Sequence, residues 1–158
     1  MTDIQWVYGI KPESMTSKWR QKIIDLFHHE TQEVYHESSL LKLSIPEWDG
    51  NLMLIDRDTY PDASSLKGIL WCKPFMDDSV RVVAFVLEEA FQSLGYGGKA
   101  WRYMTSSLKN QGKSYVQLEV KCSNSKAQKF YRKRGMEIIR RIDLYYKTEH
   151  GYMMRGNL

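Results

Sequence analysis

The sequence feature that most constrains the fold is a nearly unbroken apolar run at residues 80–87, VRVVAFVL, which is β-branched at its start. Such a run is typical of a strand covered on both faces, whereas a strand with one solvated face alternates between apolar and polar residues. A helical pattern follows at 97–110, with Gly112 as its candidate C-cap, and a further strand at 114–120. Because the two strands flank one crossover helix, the sequence predicts that 80–87 and 114–120 are parallel neighbours if no strand is inserted between them.

The remaining segments predict a mixed α/β domain with further strands and helices. Alternation, apolar spacing of three to four residues and Gly or Pro punctuation identify them. The predicted strands are 4–10, 51–55, 66–73, 136–144 and 152–155, with the last two forming an antiparallel pair, and the predicted helices are 16–30, a short one within 31–43, and 125–134 stopped by Gly135.

Length and composition indicate one globular domain, which we expect to span residues 1–158. The hydrophobic share of 42% and the aromatic share of 13% exclude a disordered chain. No apolar run is long enough for a membrane span, and Cys72 and Cys122 are too few for a disulfide framework. We therefore expect a cytoplasmic protein without a membrane partner, present as a monomer or homodimer.

Charge is unevenly distributed along the chain. The net charge of +4 is too small to indicate nucleic-acid binding, and we expect no nucleic-acid partner. Residues 121–141 carry a formal charge of +7, whereas residues 28–64 carry −6. The two segments are either solvated faces, or separate ends for an anionic and a cationic ligand.

A glycine-rich stretch at 92–98, QSLGYGG, lies between a predicted buried strand and a predicted helix. Glycines leave backbone N–H groups unobstructed, and a helix N-terminus adds its positive dipole end, so this stretch suits a pyrophosphate. The alternative is a glycine-rich turn that only starts a helix. Gly95–Ala100 also fits the dinucleotide-binding pattern G-x-G-x-x-A. In dinucleotide-binding folds, however, the glycine-rich turn directly follows its strand, whereas here seven residues separate Leu87 from Gly95.

A second motif, N-x-x-A-x-x-F-Y-x-x-x-G, runs from Asn124 to Gly135. Together with Q-x-x-G-x-G at 92–97 it resembles the GNAT superfamily of acetyl-CoA-dependent N-acetyltransferases, over roughly residues 66–158. The resemblance implies a mixed, mostly antiparallel sheet of about seven strands with a splayed central parallel pair, flanked by about four helices. It also implies acetyl-CoA as co-substrate and no metal.

The resemblance further implies where acetyl-CoA binds. The pantetheine arm would bond to the backbone of the central strand and be held by Asn124, and the pyrophosphate would lie on the glycine-rich stretch, with Tyr131 beside the thiol. The implied cofactor-binding residues are Phe85, Val86, Leu87, Gln92, Ser93, Leu94, Gly95, Tyr96, Gly97, Gly98, Lys99, Asn124 and Tyr131.

The stretch LEVKCSN at 118–124 and the pair Tyr145–Tyr146 resemble the N-terminal-amine acetyltransferases, including the ribosomal-protein-alanine type. By that resemblance, Glu119 is the base candidate, Tyr131 is the general acid, and Tyr145 and Tyr146 border the peptide slot. A phenol with a pKa near 10 suits protonation of a thiolate whose pKa is about 8.5. The alternative for Glu119 is a strand carboxylate that pairs with a basic neighbour.

Several residues depart from the family pattern. Arg81 stands where some relatives carry a catalytic Glu or Tyr, Glu89 replaces the usual proline, Met136 replaces the commoner Phe, and residues 147–151 replace an acidic loop. Glu88 and Glu89 are therefore alternative bases. The best expected acceptor is a peptide or protein N-terminus, and the alternatives are a small-amine or lysine acetyltransferase and a non-catalytic acyl-CoA sensor.

Overall fold

The computed structural model describes residues 3–158 and contains seven strands and four α-helices. The strands are β1 (Ile4–Tyr8), β2 (Leu52–Asp56), β3 (Leu66–Pro74), β4 (Ser79–Leu87), β5 (Tyr115–Lys121), β6 (Glu137–Tyr146) and β7 (Glu149–Asn157), and the helices are α1 (Ser17–Thr31), α2 (Glu37–Lys42), α3 (Tyr96–Asn110) and α4 (Ser125–Arg132). Within the described residues no helix is long and apolar enough to cross a membrane.

The strands form one mixed sheet in the order β1-β2-β3-β4-β5-β7-β6. The pairs β1–β2, β2–β3, β5–β7 and β6–β7 are antiparallel, and β4 and β5 are parallel. The predicted parallel neighbours are therefore confirmed, as is the mixed, mostly antiparallel sheet. The parallel register joins 79–81 to 115–117, although β4 continues to Leu87 and β5 to Lys121. This short register agrees with a pair of strands that splay apart after Arg81.

By its internal contacts the chain divides into two compact units. The first unit comprises the chain up to Cys72 together with Ala84–Ser107, and the second comprises Lys73–Val83 together with Leu108–Leu158. Strand β4 and helix α3 each contribute residues to both units. One domain over residues 1–158 stays a prediction, and Met1 and Thr2 lie outside the described residues.

Part of the core of the first unit forms where α1 packs on β3. Thr16 caps α1 by accepting a hydrogen bond from the Trp19 N–H, and the helix buries an apolar face that includes Phe27. The Phe27 ring meets the fully buried Trp71 ring of β3 edge-on, with 5.8 Å between centroids. Cys72 is buried next to Trp71, and this burial raises the pKa of its thiol far above the ordinary value.

In the second unit, two glycines end helices as the sequence indicates. After α4, Gly135 has φ +85°, and the Met136 N–H reaches back to the Tyr131 carbonyl at 3.1 Å. After α3, Gly112 has φ +84°, and the Lys113 N–H reaches the Leu108 carbonyl at 3.1 Å. Both ends have the hydrogen bonds of a Schellman motif, in which the left-handed residue is usually glycine because a positive φ strains the backbone of any residue with a Cβ.

The final antiparallel pair is longer than the sequence indicates. Residues 136–144 and 152–155 were the predicted strands, which left Tyr145 and Tyr146 in a loop, but β6 includes both tyrosines and Tyr146 pairs with Glu149. The alternation of β6 is obscured because it is an edge strand with many exposed residues, and its register shifts between Ile142 and Tyr146. Leu144 in that stretch has φ +49°.

We expect Gly68→Ala to destabilise the first unit by about 1–3 kcal/mol, the usual cost of overpacking. A Cβ at Gly68 in β3 would lie 2.4 Å from Cδ2 of Leu87 and 3.0 Å from the Val86 carbonyl oxygen. Denaturant unfolding measures the change in the free energy of unfolding. Because part of the clash is with the Leu87 side chain, Leu87→Ala should lower the free energy of unfolding by less in the Gly68→Ala background than in the wild type. Strictly additive losses of stability in the double variant would contradict this contact.

Candidate active site

The glycine-rich stretch forms a sharp turn into α3 in the first unit. Ser93 and Gly95 have φ of +60° and +90°, and α3 begins at Tyr96. Of the three glycines, Gly95 alone uses the left-handed region, because Gly97 and Gly98 already lie in the first turn of the helix. The first backbone hydrogen bond of α3 runs from the Lys99 N–H to the Gly95 carbonyl at 3.1 Å.

This N-terminus offers the donor set that a diphosphate requires. The amides of Tyr96, Gly97 and Gly98 precede the first helical N–H donor, so they have no carbonyl within the helix to bond. Such amides, together with the helix dipole, bind anionic oxygens. The chemistry of the segment therefore fits the diphosphate of acetyl-CoA, and Gly97 and Gly98 leave no side chain over these amides.

The side chain of Gln92 holds the turn in place through two hydrogen bonds. Its Nε2 donates to the Leu87 carbonyl at 2.8 Å and to Glu30 Oε1 at 3.1 Å. Glu30, at the end of α1, has a side chain only 11% exposed and also accepts a hydrogen bond from the Glu89 N–H at 3.4 Å. Both hydrogens of the Gln92 amide nitrogen are thus used within the protein. A contact between Gln92 and the cofactor stays a prediction.

Two further residues, which no pattern in the sequence singles out, fix this segment. The Trp6 indole N–H of β1 donates to the Tyr96 carbonyl at 2.8 Å, at the first residue of α3. Lys22 of α1 pairs with Glu88 at 3.2 Å. Neither partner is near in sequence, and a tryptophan on an edge strand carries no local signal for such a bond.

The end of β4 carries the three residues expected along the pantetheine arm. Val86 is buried, and the ring of Phe85 stacks on that of Trp101 in α3 with 6.4 Å between centroids and 13° between planes. Leu87 is half-buried, and its carbonyl accepts the hydrogen bond from Gln92. Within the first unit, the structure thus brings the end of β4 together with the turn before α3.

In the second unit, Asn124 and Tyr131 are both fixed by α4. Asn124 is the N-cap, and its side-chain oxygen accepts the Ala127 N–H at 3.1 Å. The Gln128 amide donates to the carbonyls of Lys121 and Cys122, both at 3.0 Å, which holds the loop between β5 and α4. Tyr131 is 8% exposed, and its ring meets that of Phe130 edge-on at 5.4 Å.

Arg81, Glu119 and Tyr145 form one polar cluster, named here the arginine cluster. The Arg81 Nε donates to Glu119 Oε2 at 3.0 Å, and Arg81 Nη2 donates to the Tyr145 hydroxyl oxygen at 2.6 Å. Gln117 donates its side-chain amide to Glu119 Oε1 at 3.2 Å. The side chain of Glu119 is 9% exposed, against 35% for Arg81.

Strand geometry explains why these side chains meet. Along β5 the residues Val116, Leu118 and Val120 are buried, so Gln117 and Glu119 share the opposite face. Arg81 pairs with Gln117 in the parallel register, which places it on that face beside Glu119. Glu119 therefore has a basic partner in Arg81, and its role as the base stays a prediction.

The cluster also affects the ionisation of Arg81. Burial lowers the pKa of its guanidinium, but the hydrogen bond and charge of Glu119, with the contribution of Tyr145, outweigh that effect and leave the pKa above its ordinary value. Arg81 is therefore a permanent cation, and it cannot act as a base.

The paired tyrosines lie at the end of β6. Their rings meet edge-on at 5.0 Å, and the Lys121 Nζ lies 5.5 Å from the centre of the Tyr146 ring. Glu149 accepts hydrogen bonds from the Ser123 N–H at 3.2 Å and hydroxyl at 2.9 Å. These two bonds tie the start of β7 to the loop before Asn124. The hydrogen bonds from Ser123, with the nearby charge of Lys121, hold the pKa of Glu149 below its ordinary value.

The two units thus each carry part of the predicted site. The first holds residues 85–87 and 92–99, and the second holds Asn124 and Tyr131 on α4 and links Glu119 to Tyr145 through Arg81. The individual roles of these residues stay predictions. Among residues 3–158, no group of three or more His, Cys, Asp or Glu side chains is placed to hold a metal ion.

Comparison with known proteins gives a family and a fold. The sequence profile of the Acetyltransferase (GNAT) family matches residues 20–136. Ard1 from Thermoplasma volcanium is similar with a TM-score of 0.82 and 20% identity, covering 98% of this chain and 97% of that one. The ribosomal-protein-S18-alanine N-acetyltransferase from Escherichia coli is similar with a TM-score of 0.74 and 16% identity, covering 99% and 94%.

Arabidopsis thaliana Naa50, solved with the bisubstrate analogue CoA-Ac-MVNAL, is similar with a TM-score of 0.74 and 15% identity, covering 98% of this chain and 99% of that one. No curated protein matches the sequence. The structural likenesses confirm the predicted fold, and the family match extends over most of the chain. This protein therefore belongs to the acetyltransferase (GNAT) family, and the expectation that it is an N-acetyltransferase enzyme is confirmed at that level.

Proposed function

We propose that this enzyme transfers the acetyl group of acetyl-CoA directly to a primary amine, and that the acceptor is the N-terminal α-amine of a peptide or protein. The observation that carries the proposal concerns Glu119, which lies on β5 two residues after the end of the parallel register. Its side chain is nearly buried, and Arg81 and Gln117 both donate hydrogen bonds to its carboxylate. Two similar structures support the choice of acceptor: the ribosomal-protein-S18-alanine N-acetyltransferase, and Naa50 with the bisubstrate analogue CoA-Ac-MVNAL.

The proposed transfer is a direct attack in a ternary complex. Acetyl-CoA supplies a thioester whose carbonyl carbon accepts the amine nitrogen and whose sulfur leaves. The new C–N bond forms as the C–S bond breaks, the amine loses a proton, and the sulfur gains one. A free α-amine has a pKa near 8, against about 10.4 for lysine, so an N-terminus is already partly neutral and a weak base suffices.

Glu119 would receive the amine proton through a water molecule. An ionised carboxylate has about four acceptor positions, and Arg81 and Gln117 occupy one on each oxygen. Tyr131 would give its phenolic proton to the departing sulfur. The amides of 96–98 would hold the diphosphate, and Asn124 the pantetheine arm.

We expect Glu119→Gln to lower kcat/KM for a peptide acceptor by about 10²-fold, the size of a typical general-base contribution. The substitution keeps the shape of the side chain and removes its basicity. The matched control is Glu88→Gln, which removes the carboxylate that follows β4 and pairs with Lys22 of α1. A larger loss in Glu88→Gln than in Glu119→Gln would make Glu88 the base.

A thiol-release assay tests the choice of acceptor. The panel contains peptides with free N-termini, N-terminally blocked peptides with an internal lysine, and polyamines. Release of the thiol that depends on a free N-terminus supports the proposal. Release with only the blocked lysine peptides or the polyamines would make the enzyme a lysine or small-amine acetyltransferase. Binding of acetyl-CoA without transfer to any amine would instead indicate an acyl-CoA sensor.

A further inference from the structure

The guanidinium of Arg81 is only partly used by the arginine cluster. Of its five N–H donors, one on Nε bonds to Glu119 and one on Nη2 bonds to Tyr145. The Nη1 amino group, with two N–H donors, has no hydrogen-bond partner among residues 3–158. The side chain is 35% exposed, so these donors have a route to a ligand.

The charges of the cluster are arranged as a pair of opposite sign. Glu119 presents an anion, and Arg81 presents a cation that burial and its two partners hold in one place. An acceptor with an amine and, a few bonds away, a carboxylate can place its amine at Glu119 and its carboxylate at Arg81. Two such pairs are electrostatically complementary, and the planar guanidinium is the side chain best suited to bind a carboxylate through parallel N–H donors.

We infer that Arg81 binds a carboxylate of the acceptor, and that the enzyme prefers peptides whose first residue is acidic. The inference rests on the proposed function, because it takes Glu119 to face the acceptor amine. A hydrophobic first residue would leave the Nη1 donors without a partner. A basic first residue would place a second cation beside Arg81, at an electrostatic cost.

Two matched peptides that differ only in their first residue, Asp or Asn, test this inference. In the wild type, kcat/KM for the Asp peptide should exceed that for the Asn peptide by about 10-fold, which is the size of one partly exposed charge-assisted hydrogen bond. The difference should appear in KM, because the contact binds the acceptor. In Arg81→Gln the ratio should fall to about 1. Comparing two peptides within one variant cancels any effect of the substitution on Glu119.

The controls separate a local effect from general electrostatics. Arg140→Gln removes an exposed positive charge from β6, and it should leave the ratio at its wild-type value. Rising salt should reduce the ratio in the wild type, a measurement that needs no variant to fold. Assays with free aspartate as the acceptor test whether the bound carboxylate belongs to an amino acid rather than to a peptide. A higher kcat/KM for free aspartate than for the Asp peptide would overturn the assignment to peptides.

The outcomes distinguish this inference from the proposed function. A wild-type ratio near 1, or an equal ratio in the wild type and Arg81→Gln, with both peptides acetylated, would overturn the inference and leave the proposed function standing. Transfer to lysine side chains or polyamines with neither peptide acetylated would overturn both. A ratio near 10 that Arg81→Gln abolishes and Arg140→Gln preserves is the expected result.

Discussion

Tyr131→Phe is expected to lower kcat by about 10–10³-fold with little change in the affinity for acetyl-CoA, because the phenolic hydroxyl is the proposed acid for the leaving sulfur. The substitution keeps the ring, which is 8% exposed and packs edge-on against Phe130 at 5.4 Å. The backbone bond from the Met136 N–H to the Tyr131 carbonyl is unaffected, so the end of α4 should keep its structure. Steady-state kinetics at saturating acceptor, with acetyl-CoA affinity measured by calorimetry, separate the two quantities.

Tyr115→Phe is the matched control for Tyr131→Phe. Tyr115 lies at the start of β5, and its ring contacts Arg155 at 4.7 Å, a contact that phenylalanine retains. Its kcat should stay at the wild-type value. An unchanged kcat in Tyr131→Phe would remove this tyrosine from the reaction, and equal losses in the two variants would indicate a general effect of losing a phenol.

Gly97→Val is expected to weaken coenzyme A binding by about 10²-fold or more. The β-branched side chain would lie in the first turn of α3, over the amides that have no helical acceptor. Losing two hydrogen bonds to a charged group costs about 3–6 kcal/mol, which corresponds to at least that factor. Calorimetric titration with coenzyme A, without any acceptor, measures the effect directly.

Ser106→Val controls for the general effect of a β-branched residue in this helix. Ser106 is exposed on α3, ten positions from its first residue, and its replacement should leave coenzyme A binding unchanged. Thermal unfolding of both variants shows whether the fold is kept. Wild-type affinity in a folded Gly97→Val protein would rule out these amides as the phosphate site.

Local signals in the sequence were sufficient for much of the fold and for the outline of the site. The run at 80–87 indicated a doubly covered strand, and the helix after it made 114–120 a parallel neighbour, as the register confirms. Gly112 and Gly135 marked helix ends because their roles depend on the backbone within a few residues. The turn at 92–95 was also evident, and the helix after it begins at Tyr96, one residue before the predicted start at 97.

The edge strand β6 shows where local signals fail. Its length and its inclusion of Tyr145 and Tyr146 depend on pairing with β7 and on a register shift, neither of which leaves a clear alternation in an exposed strand. The same limit applies to Trp6, whose bond to the start of α3 spans 90 residues, and to Glu30, which reaches Gln92 across 62 residues.

The sequence by itself determined the order of the strands and helices, the parallel pair and the glycine-lined helix start, because periodicity, β-branching and glycine act through neighbouring residues. Only the tertiary structure decided that Arg81 contacts Glu119 and Tyr145, at separations of 38 and 64 residues. Those contacts depend on the register that joins β4 to β5 and, through β7, to β6. Register is fixed by packing over the whole sheet rather than by any short stretch of residues.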